Sequence, residues 1–101
     1  MTPRRIILTF TPCGRPETLR FIKWLGVAVP EEVERAILSS EAPLTESIRA
    51  CAQSLRRILE TGIGHLLPLG VNVESVSIRK EEIVASVDLF YTLRNVVQEF
   101  A

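Results

Sequence analysis

The sequence has 101 residues, 47% of them hydrophobic and 24% charged, with twelve Lys and Arg against twelve Asp and Glu. That describes one domain or less of ordinary soluble composition, with nothing that suggests disorder. A balanced charge offers no field to hold a phosphate backbone, and the aromatic residues do not alternate with basic ones, so no nucleic-acid partner is expected.

Residues 5–10 form an apolar run rich in isoleucine, which predicts a strand covered on both faces as in a parallel sheet. Arg4 and Arg5 precede it, but the run ends within a few residues at Thr9, Thr11 and Pro12. It is too short for a signal peptide or a membrane span, so no membrane partner is expected. Pro16 suits the first position of a helix over 16–25, with Leu19, Phe21, Ile22 and Leu25 on its apolar face and Gly26 as its stop. Pro30, Glu31 and Glu32 start a second helix over 30–39, with the acids at the positive end of the helix dipole and Val33, Ala36 and Ile37 inward.

Pro43 opens a third helix over 43–61, in which Ile48, Cys51, Ala52, Leu55, Ile58 and Leu59 recur at amphipathic spacing. Arg49, Arg56, Arg57 and Glu60 fall on its other side and read as a solvated face rather than an anion patch. Gly62 and Gly64 end it, and the single histidine, His65, reads as a loop residue. Cys13 and Cys51 lie far apart, with no Cys-x-x-Cys and no companion histidines. They read as a reduced pair of small apolar residues in a cytoplasmic protein, not as a disulfide framework or a metal site.

Residues 70–78 predict the second strand: Gly70 and the turn before it release Val71, Val73, Val76 and Ile78, a β-branched run. The run turns polar at Glu74, Ser75, Ser77 and Arg79, just before a helix expected over 80–99 with Ile83, Val87, Phe90, Tyr91, Val97 and Phe100 broadly on one side. Polar residues gathered where a buried strand hands over to a helix mark the place where α/β proteins keep their ligands.

Two parallel strands cannot satisfy their own edges. The order strand, helices, strand, helix therefore predicts an α/β fold made of the last two βα units of a (βα)8 TIM-type barrel, incomplete on its own, with residues 1–101 as a single partial domain. On this view further strands come from a missing barrel portion, a second subunit or other copies of the chain.

The segments at 5–12 (RIILTFTP), 25–32 (LGVAVPEE), 43–62 and 70–79 (GVNVESVSIR) together resemble the C-terminal part of methylenetetrahydrofolate reductase, closest to divergent microbial members. The order and spacing agree along nearly the whole chain. The resemblance implies reduction of 5,10-methylenetetrahydrofolate to 5-methyltetrahydrofolate in one-carbon metabolism, with FAD carrying hydride from a nicotinamide nucleotide. It also implies that the acidic catalytic residues and most FAD contacts belong to earlier strands outside this sequence. Arg79 matches the family's arginine that lies toward the folate-type pterin, and Glu74, Ser75 and Ser77 lie beside it on the same strand end. Thr11 sits in the loop that corresponds to the one after strand seven, and Pro16 falls where the family often has an aromatic folate contact.

Each candidate also has a plainer reading. Arg79, followed by Lys80, Glu81 and Glu82, could open a charged helical turn; Thr11 could cap the next helix; Asn72 could bond a neighbouring loop. Glu74 is the hardest to dismiss, because an ionised carboxylate in an apolar strand needs a partner. A second functional class stays open beside the reductase: a noncatalytic α/β module that pairs its strand edges with a partner subunit or with its own copies.

Overall fold

The computed structural model describes residues 6–66, 68–76 and 79–100. Strand β1 (Ile6–Phe10) is followed by three helices, α1 (Pro16–Trp24), α2 (Glu31–Ser39) and α3 (Pro43–Glu60). A single 3₁₀ turn (Ile63–His65) then leads to strand β2 (Leu69–Val73) and helix α4 (Lys80–Glu99). Arg5, expected to open the first strand, lies outside the described residues.

The two strands pair directly and in parallel, with Ile6 opposite Leu69 and Phe10 opposite Val73. One further bond extends the ladder at each end: the Ile6 N–H donates to the Pro68 carbonyl at 3.0 Å, and the Glu74 N–H donates to the Phe10 carbonyl at 3.0 Å. Alternation along a strand sends successive side chains to opposite faces. Leu8, Phe10 and Val73 pack against the helices, while Ile7, which is 61% exposed, Thr9 and Asn72 point away from them.

The helices start and stop for local reasons. Pro16 and Pro43 occupy the first turns of α1 and α3, where a missing N–H costs nothing. Gly62 takes φ 78° just after α3, a backbone state that a side chain would strain.

Burial forms two clusters. Ala52 and Leu55 of α3 meet Leu89, Leu93 and Val96 of α4, and the inward face of the sheet covers them. Cys13, Leu19, Ile22 and Ile37 form the second, between the loop after β1 and helices α1 and α2, with Val29, Val33 and Val76 against it. Phe21 of α1 and Leu25 just past its end stay exposed, Phe21 stacking on Trp24 instead of entering the core.

This architecture corrects the expected fold. The described residues form a small α/β unit of two parallel strands and four α-helices, not the last two βα units of a (βα)8 barrel. A barrel unit sets one covering helix behind each strand. Here three helices follow β1, and α1 and α2 spend their apolar faces on a cluster of their own beside the sheet. The core is closed by helix α3 on helix α4, so what burial the chain achieves comes from helix packing more than from sheet closure.

Two further expectations change. The strand expected over 70–78 ends at Val73; Glu74, Ser75 and Val76 are irregular, and residues 77 and 78 lie outside the described residues. The reason lies in β1: after Phe10 come Thr11 and Pro12, and proline has no N–H to continue a ladder. In α4 the buried face is Glu82, Ala85, Leu89, Leu93 and Val96, whereas Ile83, Val87, Phe90, Tyr91 and Val97, and Phe100 just past the helix end, are exposed. Both sets have helical spacing, so periodicity alone did not identify the inner one.

Candidate functional site

Because β1 and β2 are parallel, their C-terminal ends lie side by side, and the loop over 11–15 and the segment that leaves β2 at 74–76 toward Arg79 emerge from the same end of the sheet. The Glu74 N–H bond to the Phe10 carbonyl ties the two exits together. Helix α4 starts where the second loop ends, which brings its first turn under the first loop.

The loop after β1 is held by side chains from two helices. From α3, the Ser47 hydroxyl oxygen accepts the buried Cys13 N–H at 2.9 Å, and the Cys51 thiol lies 4.0 Å from the Thr11 carbonyl oxygen. From α4, the Glu82 carboxylate accepts the Gly14 N–H through Oε2 at 3.0 Å and the Thr18 hydroxyl through Oε1 at 2.8 Å. Glu82 is 1% exposed, a carboxylate taken out of water and compensated by hydrogen bonds. It sits in the first turn of α4, where the helix dipole favours negative charge. Gly14 has no room for a side chain: a Cβ there would lie 2.8 Å from Leu44 Cγ.

Three cavities border this framework. One of about 390 Å³ opens between the loop after β1 and the N-terminal turns of α3 and α4, with Gly14, Arg15, Pro43, Leu44, Glu81 and Glu82 on its walls. A second, about 230 Å³, lies beside β1 among α1, α2 and α3, and includes Thr11, Cys13, Ser47 and Cys51. The third, about 270 Å³, is an apolar groove between β2 and the exposed flank of α4. The buried Thr11 hydroxyl oxygen has no hydrogen-bond partner among the described residues.

The thiols in the second cavity are poor nucleophiles. Burial pushes the Cys51 thiol up to about 12, with the neighbouring Cys13 adding to the shift. Burial also raises Cys13, against the lowering effect of its bond with Ser47 and reinforced by the charges of Glu82 and Glu34. Both cysteines are free, and no group of three or more His, Cys, Asp or Glu side chains among the described residues could hold a metal ion. No described helix is long and apolar enough to cross a membrane.

Among the residues singled out from the sequence, Thr11 is half-buried in the first loop, while Glu74, Ser75 and Arg79 are exposed in the second, at the same end of the sheet. Ser77 lies outside the described residues. Glu74 is not a carboxylate trapped in an apolar strand: it stands just past the strand end, where the Asn72 side-chain amide donates to it at 3.1 Å. Arg79 is the residue before α4, and Thr11 caps no helix, since the N-terminal flank of α1 is Arg15. On the outer face of α3, Arg49 pairs with Glu46 and Arg56 with Glu99. Arg15 reaches the site end from the first loop and pairs loosely with Glu17 at 3.5 Å.

The buried carboxylate that does exist, Glu82, is the residue that sequence reasoning missed. A signal was present: Glu82 belongs to the stripe 82, 85, 89, 93 and 96, whose other members are apolar, and a carboxylate on an inward stripe demands partners.

No protein-family model matches this sequence, and no curated protein matches it. Among solved structures, the chain is similar to an uncharacterized protein from Clostridium thermocellum that binds two copies of 5-methyl-5,6,7,8-tetrahydrofolic acid. The two share 35% identity with a TM-score of 0.77 over 96% of this chain. The chain spans about a third of that protein's length, the match covering 33% of it.

Proposed function

We propose that this chain binds a reduced folate of the 5-methyltetrahydrofolate class at the end of the sheet where the loops after β1 and β2 emerge. The observation that carries the reading is the likeness to the Clostridium thermocellum protein, 35% identical across 96% of this chain. The residues at the strand ends support it chemically. A reduced folate offers a pterin with several N–H donors, a flat aromatic linker and a glutamate with two carboxylates. Glu74 and the Thr11 hydroxyl suit the pterin's polar edge, Arg79 and Arg15 suit the carboxylates, and Leu44 and Pro43 give the 390 Å³ cavity an apolar wall.

The flavin implied by the sequence resemblance does not fit this donor set. A dinucleotide needs a slot for its ring and positive charge or open helix N-termini for its pyrophosphate. The 390 Å³ cavity does open at the N-terminal turns of α3 and α4, but Glu81 and Glu82 stand there beside Arg15 and oppose a pyrophosphate, and the walls of the other two are mostly apolar. Reduction of a folate would therefore draw its flavin contacts from outside these 101 residues, with the residues described here on the folate side.

Calorimetric titration of the purified chain with 5-methyltetrahydrofolate tests the proposal. Saturable binding that weakens about tenfold in Arg79→Ala is expected, the loss of one charge-assisted contact. Absence of saturable heat up to millimolar ligand, with the chain folded, refutes it.

A further inference from the structure

We infer that Glu82 is a positioning residue for the folate-type site, an inference that rests on the function proposed above. Its carboxylate is buried beneath the loop after β1, at the wall of the 390 Å³ cavity, where it accepts the Gly14 N–H and the Thr18 hydroxyl. What it does is join two segments remote in sequence. Through Gly14 and Thr18 it grips the end of that loop and the first turn of α1; through its own helix it is fixed to the end of the loop after β2. Thr11 and Arg15 lie on one of these loops, Glu74 and Arg79 on the other.

The clamp is tight on both sides. Leu44 leaves no space above Gly14, and Ser47 holds the neighbouring Cys13 N–H, so the loop backbone sits between α3 and α4 with little freedom. Ser47 acts from α3 and ties the first loop to that helix alone. The Glu82 contacts tie it to the segment carrying Glu74 and Arg79. Preorganised sites bind tightly because the ordering cost is met during folding and not on ligand capture. Loss of the Glu82 contacts leaves the loop exits joined by the Glu74 N–H and the Phe10 carbonyl but frees the far end of the first loop, at Arg15, relative to the start of α4, at Arg79, a spacing that a ligand bridging them reads.

Titration with 5-methyltetrahydrofolate separates this role from simple stability. The variants are Glu82→Gln, Thr18→Val and Thr18→Ser, with Val96→Ala as a control that weakens the α3–α4 core away from the loops. All are measured at a temperature where circular dichroism shows each fully folded. Glu82→Gln and Thr18→Val are expected to bind about tenfold more weakly, while Thr18→Ser, which keeps the hydroxyl, and Val96→Ala bind like the parent. If Glu82→Gln does not fold, Thr18→Val against Thr18→Ser carries the comparison. Parent-like affinity in Thr18→Val, or an equal loss in Val96→Ala, overturns the inference while leaving the proposed function standing. A parent chain that binds no folate overturns the proposed function and this inference with it.

Discussion

Gly14 shows how a single hydrogen atom can decide a local structure. With Leu44 Cγ 2.8 Å from where a Cβ would stand and the Leu44 backbone nitrogen at 3.2 Å, the loop and the start of α3 are in contact without slack. Gly14→Ala should cost about 1–3 kcal/mol, the usual penalty of overpacking, read as a drop in the midpoint of thermal or urea unfolding. The same residue donates its N–H to Glu82, so relief of the clash by moving the loop stretches that bond as well. Cys51 makes a prediction in pH. Burial lifts its thiol from 9.0 to about 12, so the folded chain holds this proton more tightly than the unfolded chain does. The sign follows: stability from this group is complete below pH 9 and is lost as pH rises from about 9 through 12. Cys51→Ala should therefore flatten the alkaline fall in unfolding midpoint, and thiol reagents should label the folded protein slowly at pH 8.

Helix α4 is the element on which pattern and burial part company. Leu89 is fully buried against α3, while its neighbour Phe90 is 52% exposed beside β2. Leu89→Ala should destabilise by about 2–5 kcal/mol, as truncation in a close-packed core does, whereas Phe90→Ala should cost less than about 1 kcal/mol. Equal costs in urea unfolding would mean that the outer stripe carries as much packing as the inner one. The two stripes look alike in the sequence because both are apolar at three-and-four spacing, and only the presence of α3 tells them apart. Strand β2 has the opposite history: its β-branched run extends beyond Val73, but pairing stops where β1 reaches Pro12. Strand length was set by the partner and not by propensity.

At the scale of the whole molecule, two paired strands have too little ladder to stand alone, and helices α3 and α4 supply the burial that holds them. The balanced charge, twelve basic against twelve acidic side chains, gives no long-range field to draw in an anionic ligand. Folate capture on the proposed reading therefore depends on contacts at the strand ends, and its association rate should vary little with ionic strength in stopped-flow mixing, in contrast to a site fed by a strong field. The likeness is to about a third of a longer protein that binds a reduced folate, and the end of the sheet where Thr11, Glu74 and Arg79 gather is the place proposed for such a ligand here.

The sequence by itself determined the punctuation: which stretches are helical and which extended, the proline starts at Pro16 and Pro43, the stop at Gly62, and the polar strand ends. Those features are local, fixed by dihedral limits and missing N–H groups within a few residues. The tertiary structure alone decided which stripe of α4 turned inward, where β2 ended, and that the buried carboxylate is Glu82 and not Glu74. Each of these is settled by what lies across from a residue, and partners 64 to 68 positions apart, such as Thr18 and Gly14 with Glu82, leave no mark on local periodicity.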